Sequence, residues 1–139
     1  MSISTIKTRI ANITGNITGV QRTYTQAPNS LPPADLPAVV VYIGPSQYTE
    51  RGDEIAGEVR AFKVRLYVLP AQNGIPGEAE AACEPFFARF REAFPPGARL
   101  ERLGEVLQAR LTGDQGVSVM PLVGGSVYVG IEFNLEVTM

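Results

Sequence analysis

The sequence predicts an α+β fold, a mainly antiparallel sheet with two helices packed on one face. Three observations carry this. Ile3, Ile6, Ile10, Ile13 and Ile17 recur at spacings of 3, 4, 3 and 4, which places them on one stripe of an α-helix. Val127, Val129, Ile131, Phe133, Leu135 and Val137 alternate without a miss against Tyr128, Gly130, Glu132, Asn134, Glu136 and Thr138, a strand with one dry face. The 14 glycines and 11 prolines among 139 residues are too many for a helical bundle and suit a strand-rich fold with many turns. A chain of this length buries about 68–70% of its extended surface, enough for one core, so a single domain over residues 1–139 is expected.

The first element is a helix within residues 1–19, capped by Ser2 or Ser4 and stopped near Gly19. Residues 24–37 hold four prolines, which forbid both helix and central strand, and predict an extended crossing or a surface arm. That crossing delivers the chain into residues 38–43, Ala-Val-Val-Val-Tyr-Ile, a β-branched run that predicts a strand buried on both faces. Residues 47–58 carry Glu50, Arg51, Asp53, Glu54 and Glu58 with two glycines, which predicts an exposed hairpin tip or a mobile loop. A long strand follows over residues 58–69: Phe62, Val64, Leu66 and Val68 form a dry face, and Lys63, Arg65 and Tyr67 a basic-aromatic one.

Asn73-Gly74-Ile75-Pro76-Gly77 predicts a turn, with Pro76 at the first position of a Phe-rich helix over residues 76–94. Ala79, Cys83, Phe86, Phe87, Phe90 and Phe94 line one face of it. Glu78, Glu80 and Glu84 lie early and Arg89 and Arg91 late, the order the helix dipole favours. Pro85 must kink this helix or mark a restart. Three strands complete the chain, over residues 105–111, 117–123 and 127–137, with Gly124-Gly125 as the turn before the last. The predicted order is α, β, β, α, β, β, β.

Chemistry is sparse. The chain contains no histidine, which removes the commonest general base and metal ligand. Cys83 is the sole cysteine, excluding an internal disulfide and a cysteine zinc site, and it points to a reducing compartment and a core filler. Asp53, Glu54 and Glu58 lack the alternating oxygen ligands of a calcium loop. No catalytic, cofactor-binding or metal site is expected, and the protein is not expected to be an enzyme. No apolar run approaches the roughly 20 residues of a membrane helix, so a soluble protein without membrane contact is expected.

The net charge is −2, with 12 basic and 14 acidic residues, which disfavours a globally basic nucleic-acid binder. Its distribution is uneven. Residues 1–70 hold seven basic and five acidic groups, +2, and residues 71–139 hold five and nine, −4. Unlike surfaces of this kind suit a head-to-tail contact between copies. Arg51, Asp53 and Glu54 in the acidic segment and Lys63, Arg65 and Tyr67 on the long strand are the candidate subunit or partner interface.

Taken together, the Ile-striped opening helix, the proline-rich crossing into Leu36-Pro37-Ala38-Val39-Val40-Val41-Tyr42, the loop around Arg51-Gly52-Asp53-Glu54, the strand over 62–69, the Phe-rich helix and the terminal hairpin over 117–137 are similar to the tail terminator (tail completion) proteins of lambda-like long-tailed bacteriophages. The resemblance covers nearly the whole chain and rests on element order and texture. It implies a virion protein assembled in the host cytoplasm, a hexameric ring that caps the finished tail tube, ends its polymerisation and meets the neck or head connector. It also implies a lumen through which DNA slides without sequence recognition, where Asp53 and Glu54 would be tolerated. Two alternatives stand beside it: another neck or tail-tube component, or a small-ligand module in which the Phe-rich helix and the sheet enclose an apolar pocket.

Overall fold

A computed structural model describes residues 2–71, 77–104 and 106–139. The chain runs α1 (Ile3–Gly15), β1 (Arg22–Tyr24), a 3-10 turn (Pro33–Asp35), β2 (Ala38–Arg51), β3 (Glu54–Pro70), α2 (Gly77–Ala93), β4 (Gln108–Pro121) and β5 (Val127–Thr138). The strands form one sheet of order β1-β2-β3-β5-β4, antiparallel except for the β1–β2 pair. The α+β architecture matches the sequence prediction.

Both helices pack on one face of the sheet. Ile6 and Ile10 of α1, together with Cys83, Phe86 and Phe90 of α2, meet Val39 and Val41 of β2, Phe62, Val64 and Leu66 of β3, and Ile131, Phe133 and Leu135 of β5 in a single core. Phe90 stacks on Phe133 with centroids 4.2 Å apart and rings 4° from parallel. Ser2 is the N-cap of α1, its hydroxyl accepting from the Thr5 N–H at 3.1 Å. The helix ends at Gly15, four residues before the expected stop. Beyond it the Ile17 and Val20 amides donate three residues back, to Thr14 and Ile17, and these tight turns still deliver Ile17 to the core.

Helix α2 continues through Pro85 with no restart. The carbonyl that Pro85 leaves without a donor belongs to Ala81, and both residues lie on the solvent face, where the carbonyl is open to water. The expected turn over residues 73–77, with Pro76 opening the helix, lies outside the described residues except for Gly77.

Three sequence expectations are corrected. Arg22–Tyr24 forms a short edge strand against Ala38–Val40, which the sequence did not reveal because three residues carry no alternation. The two strands expected over 105–111 and 117–123 are one, β4, because register shifts after Leu111 and Asp114 absorb residues that resemble a turn. Of the two readings of residues 47–58, the exposed hairpin holds and the mobile loop does not: β2 and β3 stay paired to Arg51↔Glu54, with Gly52 and Asp53 at the turn.

The crossing over residues 25–37 is an ordered strap on the face opposite the helices. Its one buried side chain, Leu31, enters a second, smaller core with Ala38, Val40, Tyr67, Met120, Leu122 and Tyr128. The Leu31 N–H donates to the Tyr128 hydroxyl at 2.8 Å, and that hydroxyl donates to the Leu31 carbonyl at 3.2 Å. Residues 38–41 of β2 are therefore dry on both faces, whereas the predicted burial of residues 38–43 stops short of its end: Tyr42 is half-buried and Ile43 is 52% exposed.

Candidate assembly interface

The β2–β3 hairpin outgrows the sheet. Strand β5 pairs with β3 as far as Val59↔Thr138, with Met139 bonded to Glu58, and among the described residues the ribbon beyond Tyr48↔Glu58 pairs only with itself. Residues 47–56 are all exposed, ten in succession. Gly52 opens the two-residue turn at φ +65°, the left-handed conformation such hairpin turns require. Register places Tyr48, Glu58, Glu50 and Ile55 on one face of this arm and Gln47, Thr49, Arg51 and Glu54 on the other. Tyr48 is 54% exposed and Ile55 64%, an apolar pair set among carboxylates.

The root of the arm is locked. Glu58 accepts from the Ser46 hydroxyl at 2.8 Å and from Arg60 Nε and Nη2 at 2.8 and 2.7 Å. Arg60 also donates to the Gly44 carbonyl at 3.2 Å and to the Tyr48 hydroxyl at 3.3 Å. One guanidinium thereby ties both strands, and the arm leaves the sheet in a fixed direction.

The six candidate residues divide into two places. Arg51, Asp53 and Glu54 stand at the exposed tip of the arm. Lys63 lies nine residues from Glu54 along β3, about 30 Å at ~3.3 Å per residue, so the two groups are not one patch. Lys63, Arg65 and Tyr67 do share the face opposite the helices, yet their environments differ. Lys63 is exposed. Arg65 donates from Nε to Glu132 at 2.7 Å and lies 5.0 Å from the centre of the Tyr42 ring. Burial, the largest single influence, lowers the Arg65 pKa, and the interactions with Glu132 and Tyr67 together outweigh it, so the guanidinium stays firmly charged.

Tyr67 is fully buried in the second core, edge-on to Tyr128, and its hydroxyl is 3.2 Å from that of Tyr42. Burial, reinforced by the Tyr42 hydrogen bond, pushes its hydroxyl far above the usual tyrosine range. The three share a face as strand parity predicts, but the strap covers Tyr67 and Arg65 is paired with Glu132. Only Lys63 of the three presents a free surface.

On the helix side, two adjoining depressions of about 340 and 410 Å³ lie between the C-terminal halves of α1 and α2 and the segment after α2. Ile13, Ala93 and Glu101 line both. Arg89 borders the first and Arg99 and Arg102 the second. The wall is unusual backbone: Leu100, Glu101 and Arg102 have φ of 49°, 59° and 61°, left-handed values that cost about 1–3 kcal/mol each for non-glycine residues. Leu100 is buried in the core and Arg9 donates to its carbonyl at 3.2 Å, which together hold this turn. Sequence reasoning missed the groove because nothing in Arg-Leu-Glu-Arg signals a left-handed turn. It also missed Tyr48 and Ile55, whose signal was a strand pattern continuing past residue 47.

Phe86, Phe90 and Phe94 fill the main core, which favours structural packing over an enclosed apolar pocket. Among the described residues no group of three or more acidic or cysteine side chains is placed to hold a metal ion. No helix of the described residues is long and apolar enough to cross a membrane. Comparison with protein-family models and with curated proteins found no match for this chain.

Proposed function

We propose that this chain is a structural subunit of a phage tail, one copy of a ring that caps the tail tube, ends its polymerisation and joins it to the neck or head. The resemblance in element order supplies the biological setting. One structural observation carries the assembly itself: the oppositely charged halves of the sequence fall on opposite halves of the sheet. Residues 1–70, net +2, supply α1, β1, β2 and β3, and residues 71–139, net −4, supply α2, β5 and β4.

A subunit whose two sides differ in this way favours a heterologous contact, which generates a ring when its rotation closes. On this reading the protein works by fit alone, as a homohexamer in contact with the tube protein and the neck or connector. DNA passes its lumen without sequence readout. Native mass spectrometry and negative-stain imaging, with and without tail-tube protein, test it. Rings that stop tube growth at a defined length are the expected result. A strict monomer that never joins tubes overturns the proposal, and a chain that polymerises along the tube makes it a tube component.

A further inference from the structure

We infer that the β2–β3 arm of one copy docks into the helix-side groove of a second copy. Five residues on each strand of the arm, at about 3.3 Å each, give a reach of roughly 17 Å. A two-stranded ribbon is at best marginal in water, yet this one exposes Tyr48 and Ile55 together on one face. Such an arm gains most when a surface covers that face.

The groove supplies matching chemistry. Its lining includes Ile13, Ala93 and Phe94, with Arg89, Arg99 and Arg102 set against Glu92 and Glu101, and Glu101 is paired with Arg9 at 3.5 Å, which leaves an arginine excess. The arm offers an apolar pair beside Glu50, with Asp53 and Glu54 at the tip and Arg51 as its one cation, net −2 over residues 47–57, the Glu58 charge being taken up by Arg60. Acidic arm and arginine excess complement each other, and apolar pair and apolar lining do too. No arm residue lines either depression, so the arm does not fill its own groove. A second copy is the occupant the charges select.

Left-handed backbone at Leu100, Glu101 and Arg102, held by the buried Leu100 side chain and by Arg9, fixes the wall that the tip would meet. Strain of this kind concentrates at functional surfaces. Each copy gives one arm and receives one, the geometry of a ring or a chain of subunits. The inference rests on the ring reading for its biological use, while its test needs this chain alone.

Two variants test it. The first joins Tyr48 to Glu58 through Asn-Gly, removing the distal arm but keeping the Glu58–Arg60 lock. The second is Arg99→Glu with Arg102→Glu. Thermal melting near the wild-type temperature shows that each is folded. By native mass spectrometry each is expected to lose assembly, with the subunit dissociation constant raised at least tenfold. Mixed in equal amounts they are expected to form a heterodimer and nothing larger, because one retains a groove and the other an arm. Wild-type assembly by the arm-trimmed variant, a mixture that stays monomeric, or a wild-type chain that is itself monomeric overturns the inference. If the groove variant fails to fold, the arm-trimmed variant still decides. Dimerising mixtures combined with failure to cap tubes would sink the tail reading and leave this contact standing.

Discussion

Gly130 shows how closely single residues are specified. A Cβ there would meet the Leu66 carbonyl oxygen, with Met120 Cε only 2.8 Å away. Gly130→Ala is expected to cost on the order of 3 kcal/mol through overpacking, read as a lower urea midpoint at unchanged slope. Cys83 is specified by burial instead: removal from water, then the nearby Glu80 charge, raises its thiol pKa to about 11. Its neutral form is the one the fold favours, so its contribution is fully present below the unfolded pKa near 9 and is lost as pH rises through about 11. Tyr24 shifts upward for the same leading reason, burial, followed by its hydrogen bond to Asp35. The melting temperature is therefore expected to fall between pH 9 and pH 11, and Cys83→Ala to flatten part of that fall. At pH 8 a thiol reagent should modify Cys83 only on unfolding; rapid labelling of the native protein would show that the thiol is not sealed in the core.

At the scale of elements, the strap is the least redundant part of the molecule. It spans residues 25–37 and sends one side chain, Leu31, into the second core, backed by the paired hydrogen bonds with Tyr128. Leu31→Ala is expected to cost about 2 kcal/mol, the low end for a buried leucine because the site lies near the surface and can collapse. Hydrogen exchange should then quicken in the strap while β5 stays protected, whereas equal loss of protection everywhere would mean that strap and sheet open together. The elements with regular periods were legible in the sequence: the Ile stripe, the Phe stripe and the twelve residues of β5 each repeat long enough to fix type and face. What escaped depends on partners distant in sequence. β1 exists because Ala38–Val40 offers it an edge, β4 is continuous because β5 tolerates two shifts of register, and Tyr67 is dry because Leu31 covers it. The candidate interface followed the same rule. Composition placed Arg51, Asp53 and Glu54 at an exposed tip, but nothing in it marked Tyr48 and Ile55 as exposed residues of a strand.

For the whole molecule, the division of charge makes a prediction that composition alone does not. A net charge of −2 suggests weak electrostatics, yet residues 1–70 and 71–139 carry +2 and −4 and build opposite halves of the sheet with their helices, so a head-to-tail array would bring halves of unlike net charge together. Internal pairs already occupy some of this charge. Arg65 with Glu132 and Arg110 with Glu136 join the face opposite the helices across β3, β5 and β4, leaving the arm and the helix layer as the regions where unlike charges remain to be matched between copies. Screening tells the two kinds of attraction apart. Raising ionic strength from 0.1 to 1 M shortens the Debye length from about 10 to about 3 Å, which weakens exposed pairs between subunits and leaves apolar contact in place. Sedimentation at the two salt concentrations is expected to show a subunit dissociation constant about tenfold higher in 1 M sodium chloride, a change of about 1.4 kcal/mol. In ammonium sulfate of equal ionic strength the loss should be smaller, since sulfate strengthens apolar burial while it screens charge. Insensitivity to sodium chloride would mean that Tyr48, Ile55 and their apolar neighbours hold the copies together unaided, and that the charge division serves another surface.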